Sequence, residues 1–150
     1  MSLPDPDVLD AVRRRRGDLD DALLIVRDGL VEDRSGPHRV AALRAGLRQL
    51  RADLYEHVAA TEGPGGLYEE VRRADPRFEQ TVWRLRGEHT RLGLLLDDLV
   101  AGIAYAPQDP AGWPSLRPRV VDLLALLVRH RSRDAQLAYD AVALDIGGQG

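Results

Sequence analysis

The chain has 150 residues, 44% of them apolar and 30% charged, and carries a net charge of −3. That length suits one domain, residues 1–150, with a sizeable core, and no apolar run approaches the length of a membrane span. The absence of Cys excludes disulfides, Fe–S clusters and thiolate metal sites, so any metal site must use His and carboxylates. All 21 basic residues are Arg, and the net negative charge argues against nucleic acid as the main partner. The acidic, Pro-rich start "MSLPDPDVLD" is unlike a secretory or transit signal, and a cytoplasmic protein is expected.

Four long helical patterns follow in chain order, with no repeats and no strand signals. The first opens at "DPDVLDAV", with Asp5 as cap and Pro6 at the first helical position. It runs to about Glu32 along a stripe of Val8, Val12, Arg15, Leu19, Leu23, Val26 and Leu30, and Gly17 is a place where it could bend. After the loop "DRSGP", a second helix starts at Pro37 and carries Val40, Leu43, Leu47, Leu50, Leu54, His57 and Thr61 on one stripe. "EGPGG" stops it, and "LYEEVRRA" reads as a short connecting helix. The third helix begins at "ADPRF", with Asp75 as cap, and places Phe78, Val82, Leu85, His89, Leu92, Leu96, Leu99 and Ile103 inward. It ends near Ala104, at the loop "AYAPQDPAGWPS". The fourth begins near Ser115 and aligns Val120, Leu123, Leu127, His130, Asp134, Leu137, Ala141 and Leu144. Four amphipathic helices with short loops predict an all-α, antiparallel up-down-up-down four-helix bundle.

Three of the four histidines thus stand on inward stripes of three different helices. His89 lies about fifteen residues before the end of the third helix, and His130 about fifteen after the start of the fourth. At 1.5 Å per residue the two stand at one height in antiparallel neighbours. Asp134, one turn beyond His130, faces the same way. Buried imidazoles and carboxylates either satisfy one another or ligate a metal ion. The candidate metal ligands are therefore His57, His89, His130 and Asp134. The other reading is a buried polar layer in which His and Asp pair and Arg15 completes the network. His38, at a helix start, is expected to be exposed. "RRRR", residues 13–16, points around its helix and makes no single basic face, so one Arg turned inward is expected. Trp83 and Trp113 read as packing and loop anchors, and Glu88 as a residue of the bundle flank.

The segments "LRADLYEHVAATEGPGGLYEEV", "LRGEHTRL" and "LLVRHRSRDAQLAYD" together resemble the hemerythrin-like, or HHE cation-binding, family over almost the whole chain. The resemblance implies a hemerythrin-like four-helix bundle with a non-haem iron site that handles dioxygen or another diatomic, redox equivalents or iron. It also implies that His57, His89, His130 and Asp134 are metal ligands. Two positions depart from the family pattern. Thr61 stands where a Glu is expected, with Glu62 beside it, and the first helix has no His; Arg15 lies near that level, and Asp20 and Asp21 are the nearest carboxylates. A guanidinium cannot bind a cation. The expectation is at most one ion per chain, iron first, with Zn or Mn as other occupants. A metal-free structural or interaction bundle is the alternative, and a homodimer through helix faces is possible for either.

Overall fold

A computed structural model of the chain describes residues 4–31, 37–105 and 112–148. Five α-helices account for most of them: α1 (Pro6–Val31), α2 (Pro37–Glu62), the short α3 (Leu67–Ala74), α4 (Glu79–Tyr105) and α5 (Gly112–Gly148). A single 3-10 turn, Pro76–Phe78, leads into α4, and no strand occurs among the described residues. The loops read at "DRSGP" and "AYAPQDP" lie largely outside the described residues, as do the side chains of His38, Trp113 and Leu144.

The helix starts are where capping chemistry puts them. The Asp5 carboxylate accepts from the backbone N–H of Asp7 at 2.9 Å, and Pro6 occupies a position whose N–H would have had no partner. Asp75 accepts from the backbone N–H of Arg77 at 2.9 Å and pairs with the Arg77 guanidinium. α5 begins at Gly112, earlier than read from the sequence. Pro114 sits in its first turn, where no intrahelical N–H bond is lost, and Pro118 is accommodated one turn further in. α1 continues unbroken through Gly17.

The four long helices form a helical bundle in which α1 packs on α2, α2 on α4, α4 on α5, and α5 returns to α1. The inward stripes of α2, α4 and α5 are the predicted ones: Leu43, Leu47, Leu50 and Leu54, then Leu85, Leu92 and Leu96, then Val120, Leu123 and Leu127 are all buried. The core divides in two. The larger cluster gathers residues such as Leu19, Val26, Leu47, Leu96 and Leu123, and the smaller gathers Val12, Leu67, Val71, Val82, Leu85 and Leu137. Between them along the stripes lie His57, His89, His130 and Asp134, all buried. No helix among the described residues is long and apolar enough to cross a membrane.

Candidate metal centre

Each imidazole is fixed by the stripe that carries it. His57 follows Leu54 by three residues, His89 follows Leu85 by four, and His130 follows Leu127 by three, so burial of the leucines turns the histidines inward. The three rings meet. Their centroids stand 4.5 Å apart for His89–His130, 5.2 Å for His57–His89 and 5.9 Å for His57–His130. One nitrogen from each lies within 4.8 Å of the others, a spacing that a single metal ion can bridge. Relative exposure is 1% for His57, 3% for His89 and 1% for His130.

Carboxylates outside the cluster orient two of the rings. The Nδ1 of His89 lies 2.9 Å from Oε2 of Glu62, and the Nδ1 of His130 lies 2.9 Å from Oε1 of Glu88. A carboxylate accepts only, so each Nδ1 carries the hydrogen and each Nε2 is left with a lone pair. Those two Nε2 atoms, and both nitrogens of His57, are buried with no hydrogen-bonding partner among the described residues. An imidazole held through one nitrogen and free at the other could take a metal ion at the free one. Arg86 holds Glu62 and Arg133 holds Glu88, so the outer carboxylates are themselves anchored. Burial opposes ionisation of both, but hydrogen bonds from the His and Arg on each outweigh it and keep their pKa values low. Glu88, expected at the bundle flank, is therefore a partner of the site. It stands beside the inward position 89 and is long enough to reach across to α5.

Asp134 is fully buried, and its oxygens are already engaged. Tyr68 donates its hydroxyl to Oδ1 at 2.6 Å, and Arg16 donates to Oδ2 at 3.1 Å. Nε2 of His57 lies 3.7 Å from Oδ2, beyond a hydrogen bond. Asp134 does not join the three-imidazole group; it stands behind it as a counter-charge. Burial works against its ionisation, but His57, Tyr68 and Arg16 around it keep its pKa low. Burial raises the pKa of the Tyr68 hydroxyl, and Asp134 raises it further, so the phenol stays protonated and donates. Burial lowers His57 to about 4 and also depresses His130, so both are neutral near pH 7 and available as ligands.

The inward arginine is Arg16, not Arg15. Seven residues separate Val12 from Leu19, and the interval divides as three-then-four or four-then-three; the helix takes the second. Arg15 is exposed and pairs with Asp18 and Glu56, whereas the Arg16 side chain is 17% exposed. Asp20 pairs with Arg131 at 2.6 Å and Asp21 is exposed, and neither belongs to the imidazole cluster. Trp83, expected to pack, is 75% exposed, because its neighbour Val82 takes the inward position. Thr61 returns its hydroxyl to the backbone carbonyl of His57 at 2.9 Å.

Tyr68 was not found by sequence reasoning. It comes from α3, where Leu67, Tyr68 and Val71 form a buried face one turn long. The turn before α3 aims it. Gly65 has φ +72°, a conformation that favours glycine, and a Cβ on Gly66 would lie 2.8 Å from the carbonyl oxygens of Ala60 and Thr61. "GPGG" therefore does more than stop α2: it folds α3 back so that Tyr68 reaches Asp134 and stacks on His89, with centroids 5.7 Å apart. The apolar spacing at 67, 68 and 71 was the available signal.

No family model, curated protein or solved structure matches the chain.

Proposed function

We propose that the protein binds one divalent transition-metal ion through His57, His89 and His130, and that iron is the ion in a hemerythrin-like role in oxygen, redox or iron handling. The observation that carries the reading is the set of four buried imidazole nitrogens with no partner among the described residues. Leaving a buried polar atom unsatisfied costs on the order of 1–3 kcal/mol, so four together rival the roughly 5–15 kcal/mol that holds a domain folded. A metal ion removes that cost at three of them. The donor set fits: three imidazoles suit Fe, Zn or Cu, and the carboxylate of Asp134 behind them balances charge. Held by His57, His89 and His130, an iron ion would supply the capacity to bind dioxygen or another diatomic. The preference for iron rests on the hemerythrin-like resemblance.

The bundle we propose is the antiparallel up-down-up-down form. The larger apolar cluster draws on the second half of α1, on Leu43 to Leu54 of α2, on the second half of α4 and on the first half of α5, an arrangement that suits alternating direction. The proposed stoichiometry is at most one ion per chain. Arg16 places a positive charge on Asp134, a carboxylate that a second ion would need. A cytoplasmic location and a possible homodimer through helix faces belong to the same proposal.

The metal-free bundle is the second reading, favoured by one observation: Tyr68 and Arg16 already satisfy Asp134. Elemental analysis of untagged protein, after anaerobic reconstitution with Fe(II), separates the two. The proposal expects up to one ion per chain, lost in His89→Ala and in His130→Ala and retained in His38→Ala. Metal content near zero after reconstitution would favour the metal-free bundle. Two irons per chain would overturn the stoichiometry.

A further inference from the structure

An imidazole cluster exposed by 3% or less needs a route by which an ion reaches it. Among the described residues, two surface grooves lead towards the outer carboxylates. One, of about 400 Å³ between α4 and α5, reaches Glu88 but is flanked by Arg84 and Arg133 and touches none of the three histidines. The other, of about 240 Å³ between α2 and α4, includes Glu62, Asp97 and His89 itself. We propose that this second groove is the uptake route for the metal, with Glu62 as the carboxylate that passes an incoming cation on to His89. The inference rests on the metal-binding reading and adds to it a path and a transfer residue.

Charge separates the two grooves. In the first, Arg84 and Arg133 offset Glu88 and Asp140. The second is lined by Glu62 and Asp97 with no guanidinium among its lining residues, although Arg86 and Arg51 pair with them from its edges, so the second favours a divalent cation more. The Glu62 side chain is 20% exposed and lies against His89 at 2.9 Å, so one carboxylate spans from solvent to a cluster ring. Asp97 sits further along the groove, where it accepts from the Tyr55 hydroxyl at 2.9 Å.

The floor of the groove is left uncovered by a glycine. Gly93 stands one turn beyond His89 on α4, and a Cβ built there would meet nothing within 4 Å. A helical side chain leans towards the N-terminus and covers the turn before it, so a side chain at 93 would lie over His89. The added Cβ meets no neighbour, and Gly93→Leu is expected to fill the groove over His89 and to improve helix propensity. Gly87 supplies a matched control. It lies on the same helix, is exposed, meets nothing within 4 Å, and lines neither groove.

The test is stopped-flow uptake of Co(II) by metal-stripped full-length protein, followed by visible absorption, with the end point measured separately. Gly93→Leu is expected to take up Co(II) at least about ten-fold more slowly, because the ion must wait for local opening of the bundle. The final amplitude and the ions bound per chain stay at the wild-type values. Gly87→Leu is expected to match the wild type in both rate and amplitude. Asp97→Asn is expected to slow uptake modestly at low salt and to leave the end point unchanged. A wild-type rate in Gly93→Leu, with full amplitude, overturns the route alone. Equal slowing in Gly87→Leu overturns it too, since the effect would then be general to α4. No Co(II) uptake by the wild type overturns both the route and the metal-binding reading.

Discussion

Replacing His57 by Leu should stabilise the metal-free protein while removing its capacity for metal. Neither nitrogen of His57 has a hydrogen-bonding partner among the described residues, so the substitution breaks none of their bonds. Asp134, 3.7 Å away, keeps its contacts with Tyr68 and Arg16. Leu has nearly the volume of His and continues the stripe of Leu50 and Leu54, both fully buried. Relieving two unsatisfied buried nitrogens, at about 1 kcal/mol each on the low side, gives roughly 2 kcal/mol. For a chain of this length that raises Tm by about 4–8 °C. The assay is urea unfolding of metal-stripped wild type and variant by far-UV circular dichroism, with m compared to confirm that the unfolding reaction is unchanged. Adding metal should then stabilise the wild type and leave the variant where it was. A lower unfolding midpoint for His57→Leu, at equal m, would show that His57 is satisfied in the metal-free fold and would refute the argument from unpartnered nitrogens.

Two further outcomes follow from the outer contacts and from burial. Glu88→Gln keeps the shape of the contact to His130 but removes its charge, so metal affinity should fall about 10- to 100-fold, measured by competition with a chelator; unchanged affinity would remove Glu88 from the site. Burial holds His57 at about 4, whereas the unfolded chain titrates near 6.5. The unfolded state therefore binds a proton that the native state refuses, and metal-free stability should fall from pH 6.5 to pH 4, by on the order of 3 kcal/mol from this residue. His130 is depressed in the same direction and adds to the loss. Unfolding midpoints across that range should show a shallower slope in His57→Leu; parallel slopes would count against His57 as the source.

The inward stripes were legible because leucine spacing on a long helix admits one solution over most of its length. The shared height of His89 and His130 was legible because one loop joins their helices and rise per residue is fixed. Arg16 was not legible. The Val12–Leu19 interval contains an arginine at both candidate positions, and hydrophobic spacing cannot choose between identical side chains. Glu62 and Glu88 stand next to inward positions, not on them. Their part depends on side-chain reach across a helix interface, which periodicity does not describe. Tyr68 depends on the direction of α3, set by the backbone conformation of Gly65 and the close approach at Gly66.

The polar layer has a bearing on how the helices find their alignment. Leucines on neighbouring stripes are nearly interchangeable, and sliding one helix past another by seven residues, about 10 Å, would set leucine against leucine again. It would also set His130 and Asp134 against an apolar layer, away from Tyr68 and Arg16, and strip Glu88 of its imidazole. One polar layer in an otherwise uniform core therefore indexes the helices, as a single buried Asn does in a coiled coil. A chain with His57, His89, His130 and Asp134 all replaced by Leu is expected to keep its helix content but give more than one set of backbone amide resonances. A single sharp set would show that the ends of the helices and their loops fix the register without help from the layer.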